Sequence, residues 1–153
     1  MSGLSHINAK GEAPLVDVAT RDVTVRTAVA TGVVHTAAAA AIADGSVPKG
    51  DVLAVARIAG IMGAKRTPDL IPMCHPIAVH GVELDLVVTG DQVHITATVR
   101  TADRTGVEME ALTAVSVAAL TVIDMTKSLD PAAAMGDIRV ERKTGGRSGD
   151  WSR

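Results

Sequence analysis

The chain has 153 residues, 47% of them hydrophobic, which suits one compact domain spanning 1–153 with its own core. Its formal net charge of −2 lacks the basic excess that gives proteins on nucleic acid or anionic membrane most of their affinity, although local basic clusters can still grip phosphates. There is no Phe, no Tyr and only Trp151, so a base-like ligand would be held by hydrogen bonds and aliphatic contacts, while the single Cys74 excludes an internal disulfide framework and fits a reducing compartment.

The N-terminal MSGLSHINAKGEA lacks a signal-peptide pattern, and the longest apolar run, around 114–123, is too short to span a bilayer. A soluble cytoplasmic protein is expected, with the first dozen residues and the tail mobile. Arg26 to Thr36 is β-branched or small, and Thr27, Val29, Thr31, Val33 and His35 share one face of a predicted strand. Ala37 to Asp44 reads as helix and stops at Gly45; a second helix runs from its N-cap Asp51 to Lys65. Three prolines in RTPDLIPMCHP allow only a short helical turn. Val82, Leu84, Leu86 and Val88, then Val93, Ile95, Ala97 and Val99, alternate with mostly polar neighbours across Thr89-Gly90-Asp91-Gln92, the pattern of an antiparallel hairpin with one wet face. A long helix over about Val107 to Leu129 and a short strand over Ile138 to Arg142 precede the glycine-rich KTGGRSGDWSR. The order β, α, α, β, β, α, β is α+β: a ferredoxin-like, split βαβ two-layer sandwich with one helix doubled and an antiparallel sheet.

In the long helix Thr113, Thr121, Asp124 and Ser128 fall within a stripe of about 80°, and nearly everything else is apolar. Either a second subunit covers part of it or the two preceding helices do. Glu110 and Asp124 share a face but stand about 21 Å apart along the axis, too far for one small ligand to bridge unless it is extended.

Several residues have both a chemical and a plain reading. Lys49-Gly50-Asp51 sits just before a helix N-terminus, where free N–H groups attract anions; the plain reading is a solvated loop lysine. Lys65-Arg66 suits the last turn of its helix. Cys74-His75, held between prolines, offers a rigid acid, base or phosphate donor; zinc is a weaker idea, since there is no second cysteine. Glu108 and Glu110 diverge by about 160° in a helix, so Glu108 complements the dipole while Glu110 is better placed to accept from the N–H groups of a base-like ligand. Asp124 and Lys127 are i, i+3 neighbours in an otherwise apolar helix, a costly pair unless it has a task, and desolvation there would lower the Lys127 pKa toward acid–base work. Lys143 and Arg147 flank two glycines and suit a mobile anion clamp.

The strings SHINAKGEAPLVDV, KGDVLAVARIAGIMGAKRTPDLIPMCHP, TGVEMEALTAVSVAALTVIDMTK and KTGGRSG resemble, in this order and over nearly the whole chain, the cyclic pyranopterin monophosphate synthase family of molybdenum cofactor (molybdopterin) biosynthesis. Departures are mild: Met73 stands where Leu is frequent, Pro68 where a bulkier residue is common and Arg147 where Lys is often seen. The resemblance implies a ferredoxin-like subunit in a homohexamer, a trimer of dimers with active sites at subunit interfaces. It implies a lyase that converts 3′,8-cyclo-7,8-dihydroguanosine 5′-triphosphate, a GTP-derived substrate, to the pterin with release of pyrophosphate. Asp124 matches the family's active-site residue, and Met73, Cys74, His75, Met109 and Glu110, with Glu108, fall in its substrate-binding segments. Lys49 and Lys127 look like its acid–base lysines, His75 joins the catalytic set, and Arg26, Lys65 and Lys143 are phosphate-binding candidates. No cofactor or protein-bound metal is implied, and Mg²⁺ accompanying the triphosphate is an open option. The alternative is a non-catalytic ferredoxin-like small-molecule-binding oligomer, which would not need Lys49, His75, Asp124 and Lys127 together; an RNA-binding module would need stacking aromatics and a basic face.

Overall fold

A computed structural model describes residues 6–153; the first five residues of the segment expected to be mobile lie outside it. In chain order the elements are β1 (Thr24–His35), α1 (Ala39–Asp44), α2 (Val52–Lys65), α3 (Thr67–Leu70), β2 (Gly81–Thr89), β3 (Gln92–Asp103), α4 (Glu108–Thr126), β4 (Ala134–Thr144) and β5 (Trp151–Ser152). The strands form one antiparallel sheet in the order β2-β3-β1-β4-β5. With β3 between β1 and β2, this is the expected split βαβ, ferredoxin-like sandwich.

Period-two patterning builds the sheet's inner face. Val93, Ile95, Ala97 and Val99 of β3 are fully buried, as are Ala30 and Val34 of β1, and they meet Ala111, Ala114, Val115, Ala118 and Val122 of α4. In β1 the even-numbered residues thus face the core, and Thr27, Val29, Thr31, Val33 and His35 share the other face. On α2, Asp51 caps the N-terminus by accepting from the Ala54 N–H at 3.1 Å. Glycine lets α2 lie close on α4, because a Cβ on Gly60 would sit 2.9 Å from the Ala114 carbonyl oxygen.

The apolar character of α4 is only partly used within the subunit. By length and composition it is long and apolar enough to cross a bilayer, which corrects the expectation drawn from its longest uninterrupted run, but more than half of it is buried in this core. The sheet covers one side and α2 another. Leu120 of α4 remains 53% exposed, and Val55, Ile58 and Met62 of α2 are exposed as well.

Two elements differ from the sequence reading. β4 begins at Ala134 rather than Ile138, because a bulge interrupts its periodicity: the register with β1 shifts between Thr31 and Val33, and Asp137 takes φ 55. The tail returns as β5, with Trp151 opposite Lys143 and Ser152 opposite Arg142.

Candidate active site

Chemistry-bearing side chains gather at the two ends of α4. At its C-terminal end the tight turn Val47–Gly50, closed by a 3.0 Å bond from the Gly50 N–H to the Val47 carbonyl, aims Lys49 at the helix. Lys49 Nζ donates to the Asp124 carbonyl oxygen at 3.0 Å and lies 3.5 Å from Asp124 Oδ2. Lys127 Nζ donates to Asp124 Oδ1 at 2.8 Å. The hydrogen bond from Lys127, then the charges of Lys127 and Lys49, hold the Asp124 carboxyl below its ordinary range. The two lysines and the one carboxylate form a single compact ion-pair cluster. The desolvation expected for Asp124 and Lys127 is absent within the subunit: their side chains are 59% and 60% exposed, because the pair lies on the side of α4 that neither the sheet nor α2 covers.

At the N-terminal end two adjoining cavities share His6, Arg21, Thr105, Gly106 and Glu108. The first, of about 320 Å³, is mostly apolar, with Ala13, Pro14, Val16, Met73 and Met109 around Cys74 and His75. The second, of about 340 Å³, is cationic and adds Arg26, Lys143 and Ser148. Arg26 is braced by donating to the Asp103 and Arg104 carbonyls, both at 3.2 Å, and Lys143 Nζ stands 3.4 Å from Glu108 Oε1. His75 Nε2–H donates to the Val16 carbonyl at 2.5 Å, which fixes the ring's orientation in the cavity wall. An apolar chamber adjoining a cationic one suits a heterocycle carrying phosphates.

Glu110 lies behind this wall rather than in it. It is 1% exposed, its Oε1 accepts from the Cys74 S–H at 3.5 Å, and Oε2 has no partner. Burial pushes its carboxyl above the usual range. Burial, and then the charge of Glu110, push the Cys74 thiol up to about 11, so Cys74 is a weak nucleophile at neutral pH and a hydrogen-bond donor instead. Because α4 begins at Glu108, Glu108 and Glu110 diverge as expected, Glu108 toward the cavities and Glu110 inward.

The structure brings Lys49, Asp124 and Lys127 together, and separately Arg26, Met73, Cys74, His75, Glu108, Met109 and Lys143. Lys65 ends α2 exposed and lines neither cavity. Arg147 lines a further depression beside Arg21 and Arg26. The sequence reading missed His6 and Arg21 as cavity residues; for His6 the N-terminal string that carries the resemblance was the available signal, hidden by the expectation of mobility, while Arg21 lies outside that string and carried no signal. Lys49 and Asp124 meet within one chain. Among the described residues no cluster of three or more His, Cys, Asp or Glu suits a metal ion.

A model of the MoaC family matches residues 15–146. Cyclic pyranopterin monophosphate synthase of Streptomyces coelicolor is 65% identical to this chain, over 98% of it and 89% of that protein. The protein of the same name from Nocardioides is 60% identical over 98% and 95%. Cyclic pyranopterin monophosphate synthase 2 of Mycobacterium tuberculosis is 58% identical over 98% and 91%.

Proposed function

The chain belongs to the MoaC family, and from this membership and the geometry at the two ends of α4 we infer that it is a lyase of molybdenum cofactor biosynthesis. It converts 3′,8-cyclo-7,8-dihydroguanosine 5′-triphosphate to cyclic pyranopterin monophosphate and pyrophosphate. The observation that carries this reading is the apolar chamber adjoining the cationic one, with a shared wall, since the substrate joins an uncharged heterocycle to a triphosphate.

In this reading Met73, Met109, Cys74 and His75 receive the base-derived end. Glu110 supports it from behind Cys74, with its unpartnered oxygen available once the wall adjusts to ligand. Arg26, Arg21 and Lys143 hold the phosphates. Closing the cyclic phosphate requires a sugar hydroxyl oxygen to bond to the α-phosphorus while the bond to the bridging oxygen of the departing pyrophosphate breaks. Cations on that oxygen take up the charge. Rearrangement of the ring requires protons to move on and off nitrogen and carbon, for which Lys49 and Lys127, oriented by the anionic Asp124, are the donors and acceptors. Magnesium accompanying the triphosphate enters with the substrate, and titrating the rate with a chelator tests whether it is needed.

The two clusters are about 21 Å apart along one helix, a span that favours a site completed by a neighbouring subunit. The exposed apolar stripes of α2 and α4 favour the same conclusion, and a cytoplasmic homohexamer arranged as a trimer of dimers is the assembly we propose. A non-catalytic binding oligomer of this fold has no use for the Lys49–Asp124–Lys127 unit. Incubation with the cyclised nucleotide, followed by pyrophosphate release and mass spectrometry of the product, tests the reading: stoichiometric pyrophosphate and cyclic pterin are expected, and nucleotide bound but unchanged would overturn it.

A further inference from the structure

The glycine-rich loop between β4 and β5 supplies Thr144, Gly145 and Ser148 to the cationic cavity, although its composition gives it little reason to keep one shape. Gly145, Gly146 and Gly149 have φ of 84°, 82° and 69°, a backbone that only glycine adopts freely and that loses much entropy on ordering. The loop is pressed onto the start of β1, since a Cβ on Gly145 would meet the Val25 carbonyl oxygen and one on Gly146 the Arg26 guanidinium. What holds it lies just beyond. Asp150 Oδ1 accepts from the Gly145 N–H at 3.0 Å, closing the loop at its neck. Trp151 pairs with Lys143, the cavity lysine, whose Nζ donates across the loop to Ser148 Oγ at 2.9 Å. Arg153 then fastens the strand, donating from its N–H to the Glu141 carbonyl at 2.9 Å and from Nε to the Val140 carbonyl at 3.2 Å. Its guanidinium stands 5.7 Å from the centroid of the Trp151 ring, within cation–π range.

We propose that Asp150, Trp151 and Arg153 are positioning residues, a latch that holds the glycine loop against Arg26 in its anion-binding shape before the ligand arrives. The proposal rests on the reading of the cationic cavity as the seat of the triphosphate. None of the three lines that cavity, so they act through the loop. Closing the loop at its far end removes most of the ordering entropy that an incoming pyrophosphate group would otherwise have to supply. The latch orders the loop equally for ground state and transition state, so it bears on KM and leaves kcat in place.

Asp150 separates this idea from simple electrostatics by sign. Removing a carboxylate beside a cationic cavity should tighten anion binding on charge grounds, whereas loss of the latch should weaken it. Trp151 is the only Trp in a chain without Tyr or Phe, so intrinsic fluorescence reports on the latch alone. In the full-length protein, titration with inorganic pyrophosphate should give a saturable change in Trp151 fluorescence. Asp150→Ala should raise its midpoint about tenfold, Arg153→Ala should raise it similarly, and Asp150→Asn, which keeps an acceptor oxygen, should restore it. With the cyclised nucleotide, KM should rise in parallel while kcat stays within about twofold. An unchanged or lower midpoint in Asp150→Ala, or no pyrophosphate binding by the unaltered protein, overturns the latch. If the unaltered protein binds pyrophosphate but does not turn the nucleotide over, the functional reading fails and the midpoints still decide the latch.

Discussion

The two lysines on Asp124 are solvent-accessible and outside the core, so removing either tests chemistry rather than folding. Lys49→Ala and Lys127→Ala should each lose at least ~10² in turnover, the usual scale for a positioned acid or base, with unchanged thermal unfolding. Near-normal rates in either would remove that lysine from the mechanism. Glu110 is the opposite kind of residue. Its raised pKa means that, as pH climbs from the unfolded value of about 4.3, the folded protein keeps a proton that the unfolded chain has released, so stability falls until the folded pKa is passed. Glu110→Gln removes this slope and should unfold at a progressively higher temperature than the unaltered protein as pH rises from the unfolded-state value until the folded pKa is passed. Parallel melting curves across that range would show that the buried carboxyl carries no such linkage. Sequence could pick out Glu110 as a purposeful carboxylate, but not that it hides behind Cys74, because that depends on where the proline-bound turn before β2 crosses the start of α4.

Among the elements, α2 and the β2–β3 hairpin were legible because their periodicity and caps agree. β4 was legible only in its second half, since the bulge at Asp137 breaks the alternation that marks a strand. The contact of α2 with α4 rests on glycine. Gly60→Ala gains up to about 1 kcal/mol of helix propensity, yet its methyl would press on the Ala114 carbonyl and the Leu84 side chain, an overpacking that costs about 1–3 kcal/mol. A net fall in Tm of a few degrees is expected by calorimetry. A rise instead would mean that the two helices can separate without loss.

At the scale of the whole molecule, a 15.7 kDa subunit that leaves Val55, Ile58, Met62 and Leu120 exposed on its helix layer is expected to sediment as an oligomer at micromolar concentration. A stable monomer would refute this. If the ends of α4 from different subunits make one site, mixing Asp124→Ala with His75→Ala and allowing exchange should restore activity to about a quarter of the sites, those that take the intact end from each chain. Mixing Lys49→Ala with Asp124→Ala should restore none, because these two residues meet in one chain. Equal outcomes in the two mixtures would sink the shared-site geometry.

Fold class and family were readable from the residues alone. Periodicity fixes which face of each element is buried, and Lys49, Cys74-His75, Glu110 and Asp124-Lys127 stand out as polar groups next to apolar or proline-bound segments. Their grouping came from folding. Asp124 takes Lys49 from a turn 75 residues away, and the β1–β4 and β4–β5 pairings bring Arg26, Lys143 and the glycine loop to one cavity. Such contacts follow from strand order and register, long-range choices that leave no local mark on the residues that make them.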